Sequence, residues 1–91
     1  MPNLHRSDRF VKELKKLFKK GILTADQVEK FLLLMETNPQ HPSLRTKKIQ
    51  GTADIFEASI NMTLRVTFQY VKSDTIYLRN VGEHDITLKR T

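Results

Sequence analysis

Residues 64–81 read LRVTFQYVKSDTIYLRNV, and this stretch decides the fold. Both of its halves are rich in β-branched and aromatic residues at alternating positions, which predicts two β-strands. The polar segment between them predicts a turn, so the halves form a hairpin. A three-residue loop near Ser73–Asp74 would put the apolar positions of both strands on one buried face. These positions are Leu64, Val66, Phe68, Ile76 and Leu78.

The opposite face of this hairpin is polar. On the same register it carries Arg65, Thr67, Gln69, Tyr77, Arg79 and Val81. The preceding segment IFEASI (55–60) also alternates and predicts a third strand, which adds Glu57 and Ser59 to that face. Two arginines on one sheet face are hard to explain by core packing. The face is either a solvated surface or a binding surface, and the pattern allows both.

Two amphipathic helices precede the strands. The segment SDRFVKELKKLFKKG (7–21) has Ser7 or Asp8 as its N-cap and Gly21 as its left-handed end. The segment LTADQVEKFLLLMETNP (23–39) begins with a capping box of Thr24 and Gln27. The inward stripes are Phe10, Leu14, Leu17 and Phe18 in the first helix, and Val28, Phe31, Leu32 and Met35 in the second.

These elements predict an α+β fold in which an N-terminal helix hairpin packs on a small antiparallel sheet. A short strand near residues 2–6 would add to the sheet. A chain of 91 residues supports one modest core, so we expect a single domain over residues 1–91.

The net charge of the chain indicates which chemical classes of binding partner to expect. Sixteen Lys and Arg against ten Asp and Glu give a net charge of +6, which favours a polyanion such as nucleic acid. An acidic protein partner, or lysines that only keep the chain soluble, would also explain this charge.

The chain has no cysteine and no acid or histidine cluster with ligand spacing, so we expect neither a metal nor another cofactor. The longest apolar run, FLLLM (31–35), is shorter than the roughly 20 residues of a membrane span. We therefore expect a cytoplasmic protein with no membrane partner.

The connection QHPSLRTKKIQGTAD (40–54) has no sustained period and carries Arg45, Lys47 and Lys48. A basic loop between a helix pair and a sheet is suited to holding phosphates, although it is equally consistent with ordinary surface.

Three segments, in this order and spacing, resemble the RelE/ParE superfamily of bacterial toxins, and most of all its YafQ-like mRNA interferase branch. They are RFVKELKKL (9–17), HPSLRTKKIQGT (41–52), and LRVTFQYV followed by TIYLRNVGEHD (64–71 and 75–85). Such toxins cut ribosome-bound mRNA in the A site and are silenced by a cognate antitoxin. The resemblance therefore implies a toxin of a type II toxin–antitoxin system, with endoribonuclease activity that inhibits translation. The implied partners are an acidic antitoxin, mRNA and the ribosome with its rRNA.

The resemblance also implies site residues. His84 occupies the position of the family's C-terminal catalytic histidine. Arg65 occupies the position of the strand arginine that holds the scissile phosphate. Lys47 occupies the position of a histidine that precedes the family's Leu/Ile-x-Gly sequence, which is IQG (49–51) in this chain. A histidine with an ordinary pKa of about 6.5 can transfer protons at neutral pH, and arginine clamps a phosphate through two hydrogen bonds. We expect further RNA or phosphate contacts from Arg45, Lys48, Arg79, Ser59 and Tyr77.

Two departures from the YafQ-like pattern keep alternatives open. Ser59 and Thr63 stand where that branch has a histidine and an aspartate, and Leu88 replaces an aromatic residue that often follows the histidine. The alternatives are a ParE-like poison of DNA gyrase without nuclease chemistry, and a catalytically degenerate homologue that only binds an antitoxin.

Overall fold

The computed structural model describes residues 3–51, 54–72 and 74–83. The helices are α1 (Asp8–Lys19) and α2 (Ala25–Thr37), followed by a single-turn 3-10 helix (Pro42–Leu44). The strands are β1 (Asn3–Arg6), β2 (Lys47–Lys48), β3 (Ile55–Ser59), β4 (Leu64–Lys72) and β5 (Thr75–Glu83). They form one sheet in the order β1-β5-β4-β3-β2. Within the described ranges, no helix is both long enough and apolar enough to span a membrane.

The predicted α+β architecture is confirmed, including the N-terminal strand. The meander β3-β4-β5 is antiparallel, as expected, but β1 pairs with β5 in parallel, so the sheet as a whole is mixed. A parallel neighbour needs a long connection, and here α1, α2 and the meander supply it. The predicted loop 40–54 also contains the short strand β2, which pairs with β3 through Glu57 and Phe56.

Both ends of α1 have specific caps. The Ser7 hydroxyl accepts a hydrogen bond from the Phe10 N–H at 3.0 Å. At the other end, the Ile22 N–H reaches the Leu17 carbonyl at 3.2 Å and Gly21 has a φ of 72°, which is the Schellman arrangement. Phe10 is fully buried, whereas Phe18 is 39% exposed, so the prediction that Phe18 belongs to the inward stripe is wrong.

The capping box at the start of α2 is also confirmed. The Gln27 N–H donates to the Thr24 hydroxyl and the Thr24 N–H donates to the Gln27 side chain, both at 3.2 Å. Val28, Phe31 and Met35 are buried. The helix ends at Thr37, two residues before Pro39, because a residue that precedes proline is driven out of the helical region.

The core lies between the helices and one face of the sheet. Helix residues Phe10, Phe31 and Met35 pack against strand residues Val66, Phe68, Ile76, Leu78 and Val81. The inward positions predicted for the β4–β5 hairpin are therefore confirmed, since each of them is completely buried.

The loop that produces this register in the hairpin differs from the predicted loop. Lys72 pairs with Thr75, which leaves two residues between the strands, so the predicted three-residue loop is wrong. An irregularity between Tyr70 and Lys72 supplies the extra residue instead. A one-residue shift inverts the faces of a strand, and this bulge restores the phase that a two-residue loop would reverse.

A second irregularity lies in the middle of the hairpin. Thr67 pairs with Asn80 and Phe68 pairs with Leu78, so Arg79 is an extra residue on β5. Beyond this Arg79 bulge the strand changes phase, and Val81 pairs with Val66 and is 2% exposed in the core. The prediction that Val81 lies on the polar face is therefore wrong, and Asn80 lies there instead.

Candidate functional site

The candidate site is the sheet face opposite the core, which we call the polar face. Cross-strand partners project to the same side of a sheet, so the register assigns its members. They are Lys47 from β2, Glu57 and Ser59 from β3, Arg65, Thr67 and Gln69 from β4, and Tyr77 and Asn80 from β5. Arg79, at the register shift of β5, joins them through its side-chain hydrogen bond to Gln69. The buried residues of both described helices pack against the other face.

The centre of the polar face is a buried polar layer. Glu57, Thr67 and Asn80 are each at most 1% exposed. The Thr67 hydroxyl donates to the Asn80 side-chain carbonyl. The Lys47 Nζ lies 3.4 Å from the Glu57 Oε1, and the side chains of this pair are 66% and 2% exposed. Buried polar groups need such partners, so the centre of this face is an ordered array and not a freely solvated surface.

Arg65 lies at the end of the polar face and closes the β3–β4 turn. Its Nη1 donates to the main-chain carbonyls of Asn61 at 3.1 Å, Met62 at 3.4 Å and Leu64 at 3.1 Å. A guanidinium has five N–H groups on three nitrogens, and within the described residues the contacts of Arg65 all use Nη1. Nε and Nη2 are therefore the atoms of Arg65 suited to an anion.

Arg79, at its bulge, lies in a line of polar side chains across the same face. Its Nη1 donates to the Gln69 side-chain carbonyl at 2.5 Å, and the Gln69 amide donates to Asp54 at 3.3 Å. The neighbouring Tyr77 ring stacks on His5 with centroids 5.3 Å apart. Arg79 and Tyr77 thus form one half of the polar face, and Lys47, Ser59 and Arg65 form the other.

The two lysines of β2 lie on opposite sides of the sheet. Lys47 pairs with Glu57 on the polar face, whereas Lys48 pairs with Phe56, and the Phe56 ring stacks on core residue Phe68 at 5.8 Å. Adjacent residues of a strand project to opposite faces. Only Lys47 therefore belongs to the polar face with Arg65.

Arg45 takes the left-handed position that ends the 3-10 helix, with a φ of 49°. It lines a cavity of about 440 Å³ together with Ser59 and Arg65. Three of the residues predicted to contact RNA or phosphate thus meet at one end of the sheet.

Several solved structures with the same architecture are toxins. A metal-bound toxin from Helicobacter pylori is 26% identical, covers 94% of this chain and 98% of its own, and superposes with a TM-score of 0.79. YafQ from Escherichia coli strain BL21(DE3) is 12% identical, with 94% and 97% coverage and a TM-score of 0.78. YafQ in the E. coli DinJ–YafQ toxin–antitoxin complex is 14% identical, with 93% and 94% coverage and a TM-score of 0.78. The chain has the RelE/YafQ-like toxin fold. No protein-family model and no curated protein sequence matches the chain.

In this toxin fold, the predicted catalytic residue His84 lies outside the described residues, as does Leu88. The described part of β5 ends at Glu83, and the preceding residue, Gly82, pairs directly with Arg65. The strand that leads into His84 therefore runs beside Arg65.

The other two histidines have structural contacts. His5 stacks on Tyr77, and the His41 Nδ1 accepts the Ser43 N–H at 3.1 Å at the start of the 3-10 helix. Across the described ranges, no group of three or more His, Cys, Asp or Glu residues is arranged to hold a metal ion.

Sequence reasoning missed the role of two residues in this face. Glu57 and Asn80 are buried at its centre, yet neither was among the predicted site residues. The alternation of IFEASI already indicated that Glu57 shares a face with Ser59. Asn80 had no such signal, because its position depends on the Arg79 bulge.

Proposed function

We propose that the protein is the toxin of a type II toxin–antitoxin system and cleaves ribosome-bound mRNA without a metal, thereby inhibiting translation. The likeness to YafQ and to the H. pylori toxin over 94% of the chain supports a toxin. The pairing of Arg65 with Gly82 supports a nuclease most directly. It brings the proposed phosphate clamp beside the strand that leads into His84.

In the proposed chemistry the RNA 2′-hydroxyl gives its proton to a water molecule while the 2′-oxygen forms a bond to the adjacent phosphorus. The P–O5′ bond breaks, which yields a 2′,3′-cyclic phosphate and a 5′-hydroxyl. We assign protonation of the leaving 5′ oxygen to His84, because imidazole exchanges protons readily near neutral pH. We assign stabilisation of the extra negative charge on the phosphorane to Arg65, through Nε and Nη2.

Lys47 is the lysine best suited to assist Arg65. It belongs to the polar face, and its ion pair with the buried Glu57 limits the directions that its ammonium group explores. Lys48 projects to the other side of the sheet. Arg79 lies three residues before Gly82 on β5, whereas Arg65 pairs directly with Gly82. The hydrogen bond from Arg79 to Gln69 suits it to holding a neighbouring phosphate of the message.

The proposed antitoxin is acidic and covers the polar face or the helix pair. The net charge of +6 attracts such a partner. The exposed Leu33 on α2 and Phe18 on α1 offer apolar anchors for a segment that folds as it binds. We place this inhibited complex in the cytoplasm, where the translated message is.

The substitution His84→Gln tests the nuclease proposal, because glutamine keeps hydrogen bonding but does not titrate. Primer extension on translated mRNA after induction should show a loss of cleavage of about 100-fold or more. Calorimetric binding of the acidic protein encoded next to the toxin gene should be unchanged. His41→Gln, which alters a histidine at the exposed 3-10 turn, is the matched control and should cleave normally.

Full cleavage by His84→Gln would remove the catalytic role of His84. Arrest of DNA supercoiling without message cleavage by the unmodified protein would favour a gyrase poison. Binding to the neighbouring protein without either effect would favour a degenerate homologue.

A further inference from the structure

A cavity of about 440 Å³ lies beyond the polar face, at the edge of β3. It opens to solvent and is bordered by α2, the 3-10 helix and the β3–β4 turn. Its apolar part is formed by Phe31, Leu34, Leu44 and Ile60. Its volume is within the range of about 300–1,000 Å³ that is typical of small-ligand sites.

The charged lining of this cavity has one sign. Lys30 comes from α2, Arg45 from the end of the 3-10 helix, and Arg65 from β4. Among the described residues that line the cavity there is no Asp or Glu. Three cations beside an apolar surface attract a ligand that combines an anionic group with a flat apolar one.

Ser59 gives the cavity an available hydrogen-bonding group. Its Oγ is buried and has no hydrogen-bond partner in the part of the chain that the structure describes. Buried hydroxyls are normally satisfied, so this one, in a residue that lines the cavity, is suited to turn about χ1 and bond a ligand.

The backbone of β3 is open on the same side. Among the described residues, β2 pairs with Phe56 and Glu57 of this strand and does not reach Ser59. The Ile55 carbonyl accepts the Ile49 N–H at 2.9 Å at that outer edge, and backbone groups alternate in direction along a strand. The N–H and carbonyl of Ser59, four residues on, therefore point toward the edge where the cavity lies.

We propose that this cavity binds one unstacked nucleotide of the RNA, with the base against Leu34 and Ile60 and the adjoining phosphate between Arg45 and Arg65. This inference rests on the proposed function, because the occupant belongs to the substrate. Arg65 and Ser59 belong both to the cavity and to the polar face. A strand of RNA held at Arg65 thus has a neighbouring nucleotide within reach of the cavity. Proteins that read single-stranded RNA commonly hold splayed bases in this way.

The test uses the full chain and a 2′-O-methyl trinucleotide, which resists cleavage by the proposed chemistry. In a two-dimensional amide NMR titration, the largest saturable shifts should fall at Ser59, Ile60 and Leu34. A trinucleotide that lacks its central base should bind at least about 5-fold more weakly, because the base supplies the apolar contact. Equal binding of the abasic probe would overturn the proposal, since the cavity would then hold phosphate alone. An acidic peptide that shifts the same amides while the trinucleotide does not would also overturn it.

Charge variants with a matched control sharpen this result. Lys30→Gln with Arg45→Gln should weaken trinucleotide binding about 10-fold. Lys12→Gln with Lys15→Gln removes the same charge from exposed positions of α1 and should change binding less than 2-fold after correction for salt dependence. Equal weakening by both pairs would overturn the proposal, because the effect would then come from net charge.

Ser59→Ala separates a ligand-binding role from a structural one. It should weaken binding about 5-fold while the melting temperature stays the same or rises, because an unsatisfied buried hydroxyl is removed. Reduced stability with unchanged affinity would contradict the proposal.

His84→Gln should abolish cleavage and leave trinucleotide binding intact. The cavity proposal therefore fails if the protein cleaves message but shows no shifts at the cavity, and the proposed nuclease function fails if the shifts occur without cleavage.

Discussion

The Ser7 hydroxyl donates a hydrogen bond to the main-chain carbonyl of Arg79 at 2.7 Å, across 72 residues of sequence. The same oxygen accepts the Phe10 N–H and so caps α1. On the other side of the Arg79 bulge, the Val81 N–H donates to the Glu13 side chain at 3.2 Å. The first helix thus satisfies two backbone groups next to the bulge and fixes the point at which β5 changes phase.

Replacing Ser7 with Ala should lower the free energy of unfolding by about 2–3 kcal/mol. The change removes a helix cap, worth about 1 kcal/mol, and takes a partner from a carbonyl in the sheet. Urea denaturation followed by circular dichroism measures this loss. Ser43→Ala, at an exposed serine that contacts His41, should stay within about 0.5 kcal/mol of the unmodified protein. Equal effects of the two substitutions would show that the Ser7–Arg79 bond does not stabilise the fold.

The Thr67–Asn80 pair at the centre of the polar face should show strong coupling. Thr67→Val and Asn80→Ala should each cost about 1–3 kcal/mol of stability, because each leaves a buried polar atom without its partner. The double variant should cost less than the sum by about 1 kcal/mol, measured as a double-mutant cycle in urea. Thr37→Val, which removes an exposed hydroxyl bonded to its own helix, is the control for threonine itself. Strict additivity would mean that the two side chains act independently.

Arg65→Ala should reduce both cleavage and stability. The guanidinium would no longer hold the phosphate, and the carbonyls of the β3–β4 turn would lose the hydrogen bonds that Arg65 Nη1 donates to them. We expect at least about 10-fold less cleavage per folded molecule and a loss of about 1 kcal/mol of stability. Thr63→Ala removes another hydrogen bond of this turn without removing a cation, so it should affect stability alone. If cleavage falls only in proportion to the unfolded fraction, Arg65 is a turn residue and not a phosphate clamp.

The two lysines of β2 should differ in their effect on activity. Lys47→Gln should reduce cleavage about 10-fold through loss of a cation on the polar face, and it should lower stability by about 1–3 kcal/mol because the buried Glu57 carboxylate loses this charged partner. Lys48→Gln makes the same change on the opposite side of the sheet and should reduce cleavage much less. Primer extension with equal amounts of folded protein measures both. A larger effect from Lys48 would contradict the assignment of the site to the polar face.

Gly21→Ala should destabilise the protein by about 1–2 kcal/mol, because the φ of 72° at this helix end is unfavourable for a residue with a Cβ. Apart from the adjoining residues, no heavy atom of the described part of the chain lies within 4 Å of the added methyl group, so the cost is one of backbone conformation and not of a clash. Gly21→Asn should recover part of the loss, because asparagine tolerates the left-handed region better. Identical unfolding midpoints for the Ala and Asn variants would rule out this explanation.

The amino-acid sequence by itself determined the helices, the three long strands and the side of the hairpin that is buried. Thr24 with Gln27, and the alternation from Leu64 to Phe68, are local signals that need no knowledge of distant residues. The tertiary structure alone decided the parallel pairing of β1, the two bulges, and the burial of Val81 and Asn80 on opposite faces. A bulge forms where backbone groups find partners outside the ladder, and here Ser7 and Glu13 provide them from a helix about 70 residues earlier. The position of Asn80 therefore depends on contacts that the sequence around Asn80 does not contain.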